Sequence, residues 1–340
     1  MRIPQFHRAA TLAGASLFFL AGCGAGSISP SAGGQPAQAA HEAMSSRSAI
    51  NLASIGLPAG AARALVRPGG SGGPGFVTPA VMTSSERVYI SDFIRDAIDI
   101  YEPTGGSPIG KITAGLNEPV GLWIDAKGTL YVANLGNGTV TEYAKGTTNP
   151  SRTLTGTAQP EAVAVAKTGD VYVSDFQDNV VNVYTKGSTS PSGSASLQSA
   201  EGIGIDKSGD VFAAYNESGY NGHVAEYGAG LKAGHDIGIS IGMSGDLKID
   251  KSNDLILSDQ TNQVIDIYAA GANTPKSTIP IPGQDPFKFC LDRSEKNIYV
   301  DETGAGTVLV YSYPAGKPKN VSFGGLTSAF GVAVSPAASY

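Results

Sequence analysis

The chain has 340 residues, with 45 Gly, 20 Pro, two Cys and a formal charge of −6 at pH 7. That length holds one large or two ordinary domains, and so much Gly and Pro suits many short strands joined by turns. Two cysteines in unlike contexts, Cys23 and Cys290, exclude a disulfide framework, and the scattered Lys and Arg exclude the basic footprint of a nucleic-acid binder.

At the N-terminus Arg2 and Arg8 precede an apolar stretch from Ala9 to Leu20. This core is too short to span a bilayer and fits a secretory signal. It ends in Leu20-Ala21-Gly22-Cys23, which resembles the bacterial lipobox, where the peptide is cut before a Cys that takes lipid. The resemblance implies a signal peptide over 1–22, lipidation at Cys23, and a membrane anchor made of acyl chains rather than a helix. Cleavage removes Arg2 and Arg8 and no acid, leaving 21 Lys and Arg against 29 acids, a formal charge of −8. In enteric bacteria an Asp after the Cys favours the inner membrane, so by the same resemblance Gly24 permits the outer one. Residues 24–40 are nearly all Gly, Ala, Ser, Pro and Gln and read as a tether. Residues 41–75 admit a short helical turn at 61–66 before the plain linker of 67–75, so lipidated Cys and linker together span 23–75. The folded domain is expected over 76–340.

From residue 88 the chain repeats. Strand-like runs end in small or acidic residues at 88–92, 130–134, 171–175, 211–215, 255–259 and 298–302. Their second residues, Tyr89, Tyr131, Tyr172, Phe212, Ile256 and Tyr299, step by 42, 41, 40, 44 and 43. A second ladder, Tyr101, Tyr143, Tyr184, Tyr227, Tyr268 and Tyr311, steps by 42, 41, 43, 41 and 43. Two tyrosine ladders with one period define six repeats. In the second repeat the predicted strands are Val120–Asp125, Thr129–Asn134, Thr139–Tyr143 and Arg152–Thr155, separated by Gly, Asn and Pro turns. Four strands in about 42 residues make a blade, and the fold class is an all-β, six-bladed β-propeller of four-stranded antiparallel blades.

The innermost strands carry large apolar residues on one parity, such as Leu122, Val163, Ile203, Leu247, Phe289 and Val332. Small ones occupy the other, including Gly121, Ala162, Gly202 and Gly331, with Trp123, Lys248 and Cys290 breaking the rule. Large against small lets neighbouring blades interlock. Cys290 is expected to be a buried, inert thiol. A seventh inner strand, 330–335, has no blade behind it and is expected to close the ring by completing the first blade, in competition with 76–82. If both are used, the first blade gains a strand.

The run LYVANLGNGTVTEYAKG at 130–146, with GVAVSP at 331–336, resembles the YVTN-type and NHL-type propeller repeats of bacterial proteins over about 260 residues. The resemblance speaks for the fold and little for function.

Propellers commonly bind ligands where loops enter the innermost strands, and here those loops hold Glu118, Glu161, Glu201, Asp246 and Asp285. No cofactor is predicted outright; the one candidate is Ca²⁺ or another divalent cation held by these acids at the central channel, against the plainer reading of solvated turn acids. AEGIGID at 200–206 bears a faint similarity to the gluconolactonase and regucalcin-like six-bladed enzymes, which also need an Asn and an Asp that have no counterpart motif here. Asp92, Asp175 and Asp259 close the second strand of three blades and are expected to accept backbone N–H bonds in the following turn. GISIG around Ser240 and GGSGG at 69–73 match G-x-S-x-G without the strand-turn-helix setting of a nucleophile elbow, and both are set aside. The polar, aromatic loop 215–227 presents Tyr215, Tyr220 and His223 as a recognition surface or, equally, a tolerated insertion.

These features predict an extracytoplasmic, lipid-anchored propeller of the cell envelope that binds a protein, peptide or glycan and no nucleic acid. The alternative is a metal-dependent hydrolase of the gluconolactonase type working through the acids at the channel mouth. The absent Asn and Asp motifs favour the binding module, and fold alone does not decide between them.

Overall fold

A computed structural model describes residues 86–218, 221–283, 285–303 and 305–336, together with the backbone strand Phe76–Val77. All of these fall in the compact unit Gln35–Tyr340. The expectations for Cys23, the signal peptide and the linker lie outside the described residues.

The second blade shows how sequence makes the unit. Pro119–Ile124, Leu130–Asn134, Thr139–Tyr143 and Arg152–Leu154 follow one another from the axis outward, each antiparallel to the last. The β-branched and aromatic residues of the middle strands are buried on both faces, which is where such side chains fit a pleated surface. The turn after the innermost strand is built by Asp125, whose Oδ1 accepts the backbone N–H of Lys127 at 2.9 Å and of Thr129 at 2.8 Å. Asp206 and Asp250 build the same turn two and three blades on.

Five further sheets complete the ring, and the closing strand takes the expected place. Ala329–Ser335 pairs with Arg87–Asp92 as the innermost strand of the first blade, in register from Arg87↔Ser335 to Asp92↔Ala329. Phe76–Val77 does not compete for that position. It pairs with Gly110–Ile112 on the outer edge, so both ends of the repeat region join one five-stranded blade.

The tyrosine ladder at Tyr101, Tyr143 and Tyr184 ties each blade to the chain that enters it. Their hydroxyls donate to the carbonyls of Gly324 at 3.0 Å, Ala114 at 2.6 Å and Thr155 at 3.0 Å. Burial pushes the Tyr143 and Tyr184 phenols up to about 12, so both remain donors. A second link runs inward. Ser91, Ser174 and Ser258, in alternate blades, donate to the carbonyls of Val120, Glu201 and Phe287 in the next blade's innermost strand.

Glycines set the spacing between inner strands. A Cβ on Gly331 would stand 2.0 Å from the Val120 carbonyl oxygen, and one on Gly202 2.3 Å from the Leu247 nitrogen. The large-against-small rule therefore follows from backbone contact between blades.

Candidate functional site

Every innermost strand breaks register with its neighbour near the end where the chain enters it. The shifts fall between Ser91 and Asp92, Pro119 and Leu122, Ser174 and Asp175, Ala200 and Ile203, Ser244 and Leu247, and Pro286 and Phe289. A bulge re-aims the side chains it contains. The residues opposite or inside these bulges include Glu161, Glu201, Asp246, Phe287, Lys288 and Phe330, and they meet inside the ring.

Lys288 is the centre of this group. Its Nζ lies 3.3 Å from Glu161 and 3.6 Å from Glu201, donates to the Gly245 carbonyl at 3.2 Å, and sits 4.0 Å over the Phe287 ring. Lys288, Glu161 and Glu201 are all at most 2% exposed. Burial opposes the ammonium most strongly, but Glu161, Glu201, Asp246 and Asp301 together hold its pKa above the usual lysine value. The charge is therefore retained inside the ring. Asp246 pairs with Lys248, 2.7 Å from its Nζ, and also accepts the Phe289 backbone N–H at 3.2 Å.

Asp301 accepts the backbone N–H of Lys288. Burial, the largest effect, pushes its carboxyl well up despite that hydrogen bond and the nearby ammonium. Its Oδ2 has no hydrogen-bond partner. Beside this group Phe330 packs on Phe93, ring centroids 4.7 Å apart, and edge-on to Phe287 at 6.3 Å.

This geometry corrects the picture of acids in loops at a channel mouth. Glu161, Glu201 and Asp246 lie within strands and are buried, because the bulges turn them inward. Only Glu118 and Asp285 lie in loops, and both are half-buried. Glu118 has a positive φ of 51°, and its backbone N–H donates to Asp96 at 2.7 Å. Burial first and Glu302 second push the Asp285 carboxyl up to about 6. A cation between Glu161 and Glu201 would have to displace the Lys288 ammonium. Among the described residues no group of three or more His, Cys, Asp and Glu is arranged to hold a metal ion.

Sequence reasoning missed Lys288. The available signal was its place in the small parity beside Gly121, Ala162, Gly202 and Gly331, where a long cation has no packing reason to be. The other expectations fare differently. Asp175 accepts the Asp178 N–H in the following turn, and also those of Ala158 and Gln159 in the loop before the inner strand. Asp259 likewise takes Asn262 and Gly242, while Asp92 takes Thr327. Cys290 is a buried free thiol, pushed well above its usual pKa by burial.

The segment 215–227 is a hairpin rather than a loop. Strands Val211–Glu217 and Asn221–Gly228 pair through Glu217↔Asn221, because extended polar and aromatic residues alternate across them. Tyr215 pairs with His223, which pairs in turn with Ser240 of the outer strand Lys232–Ile241. The Tyr215 hydroxyl donates to Asp236 at 2.7 Å, and its ring lies 5.5 Å from the imidazole of His223. His223 Nδ1 is 3.7 Å from the same carboxylate. Tyr220 lies outside the described residues. Ser240 is exposed on an edge strand, with none of the setting of a nucleophile elbow.

No protein-family model matches the chain. No curated protein matches it either. Solved structures do match. A chain of a nidogen/laminin complex aligns with a TM-score of 0.64 at 13% identity, over 75% of this chain and 100% of that one. A functionally unknown protein from Desulfotomaculum acetoxidans DSM 771 aligns at 0.54 and 10% identity, over 74% and 99%. Hydrazine synthase of Kuenenia stuttgartiensis aligns at 0.51 and 16%, over 66% and 72%. These likenesses establish the propeller fold and carry no activity with them.

Proposed function

We propose that the protein is an extracytoplasmic binding module, held to an envelope membrane by lipid on Cys23 and recognising an envelope protein, peptide or glycan through its surface. The observation that carries the reading is the Lys288 cluster. The carboxylates that would serve a metal-dependent hydrolase are committed to an internal ammonium, which leaves recognition to the outside of the ring. The fourth blade offers such a surface in the row Tyr215, His223 and Ser240, on strands longer than those of the other blades. The neighbour from the nidogen/laminin complex belongs to a protein–protein assembly, which is in keeping with this role for the fold.

The test is calorimetric titration of Ca²⁺, Mn²⁺ and Zn²⁺ beside site-directed photo-crosslinking in the native envelope. A flat metal trace, with one adduct formed from Ser240 and none from Ser107, exposed in the first blade, is the expected result. A tight one-site metal isotherm abolished by Glu201→Gln would overturn the reading in favour of the hydrolase. Loss of palmitate labelling in Cys23→Ser tests the anchor separately.

A further inference from the structure

Inter-blade grooves lie on the side where the innermost strands end, and the one between blades two and three differs from those between blades four and five and between blades five and six. Its volume is about 440 Å³, within the range of small-ligand sites. The corresponding groove between blades five and six is lined by Asp250, Asp254 and Glu295, and its one lysine, Lys276, is paired with Asp254. Here the lining includes Lys127, Lys167 and Lys186, with the only tryptophan of the chain, Trp123. Corresponding positions on the other inner strands hold Ala164, Gly204, Lys248, Cys290 and Ala333, so the indole is an addition to the repeat.

Three observations define what the groove would accept. The three lysines are exposed and form no ion pair among the described residues, although the chain as a whole is acidic. The Trp123 indole N–H is buried without a hydrogen-bond acceptor. The Arg152 guanidinium is already committed, its Nε donating to Glu142 at 2.8 Å and its Nη1 to the Ser188 carbonyl at 3.2 Å.

We propose that this groove binds an anionic sugar, its ring against Trp123 and its acid group among Lys127, Lys167 and Lys186. A sugar presents a flat C–H face to an aromatic ring and hydroxyls that donate as well as accept. The groove answers with Asp125 as an acceptor beside its lysines, and Glu142, already paired with Arg152, adds a second carboxylate. Those carboxylates disfavour a dense polyphosphate, and the guanidinium fork that would grip one is occupied. Tyr131 adds a second aromatic wall, and its phenol stays protonated, because burial first and Glu142 and Asp125 next raise its pKa. The site deepens the binding-module reading, yet it uses blades other than the fourth, so either surface can fail alone.

A single tryptophan makes the emission of the full-length protein a direct report on the groove. Titration with tetragalacturonate, glucose 6-phosphate and neutral maltotetraose separates carboxylate, phosphate and uncharged sugars. The expected result is a saturable, salt-sensitive change with an anionic probe, weakened roughly tenfold or more in Lys167→Ala/Lys186→Ala. Saturation by tetragalacturonate assigns a carboxylate sugar, and saturation by glucose 6-phosphate alone a sugar phosphate. No saturable change, equal binding of maltotetraose, or affinity unaltered in the lysine variant would each overturn the proposal. Both lysines are exposed, so the variant is expected to melt with the parent, and calorimetry gives an independent measure of binding.

Discussion

Lys288 and Glu161 belong to the sixth and third blades, which stand opposite each other in the ring, yet Nζ and Oε2 are 3.3 Å apart. The ion pair therefore crosses the centre of the molecule and holds blades that share no sheet. Removing one member of a buried pair leaves an uncompensated charge and costs about 3–5 kcal/mol. Lys288→Met is expected to destabilise the domain by that order, and Glu161→Gln with Glu201→Gln in the same chain to restore most of it. Denaturant melts decide the matter: a single variant as stable as the parent would show that the charges are not coupled.

Asp285 gives the stability a pH dependence of known sign. Its carboxyl is raised from 3.8 to about 6 by burial and then by Glu302, so the folded chain holds this proton more tightly than the unfolded one. The stabilising contribution is complete below about pH 4 and is lost as pH rises through about 6. Asp285→Asn should therefore melt above the parent at pH above 6 and together with it near pH 4. An advantage confined to acid pH would refute the assignment.

Ser174 receives the Ala162 N–H at 2.9 Å and donates to the Glu201 carbonyl at 2.6 Å, joining the third blade to the fourth. Ser174→Ala strands both groups in the interior, at a cost of about 1–3 kcal/mol. Equilibrium unfolding measures it, and Ser190→Ala, at an exposed turn, is the control expected to change nothing.

Gly331 has no room for a methyl group, since its Cβ would meet the Val120 carbonyl oxygen at 2.0 Å. Gly331→Ala must push the closing strand away from the second blade, with a loss of about 1–3 kcal/mol or more. Faster proteolysis near residues 329–335 than elsewhere would localise the damage; a melt unchanged from the parent would argue against tight closure.

The ring was legible because its signals are periodic. Six copies of a tyrosine every 42 or so residues survive any single exception, and the closing strand announced itself as an inner strand with no blade behind it. The interior site was less legible because it depends on register breaks. A strict alternation puts Glu161 and Lys288 on opposite parities, whereas the bulges at Ser174/Asp175 and Pro286/Phe289 bring both inward. The hairpin at Tyr215–His223 is hidden in the sequence for a related reason: its polar residues pair by backbone, which composition does not report.

The closing strand has a consequence for how the molecule is made. Thr327, just before it, donates its backbone N–H to Asp92 across 235 residues of chain, and the whole innermost ladder of the first blade is equally remote. Blade one is the first to be synthesised and the last to be finished. Until Ala329–Ser335 arrives, it exposes an unpaired inner edge to chaperones, proteases and other nascent chains. The closing strand is thus the step that turns an open row of blades into a ring.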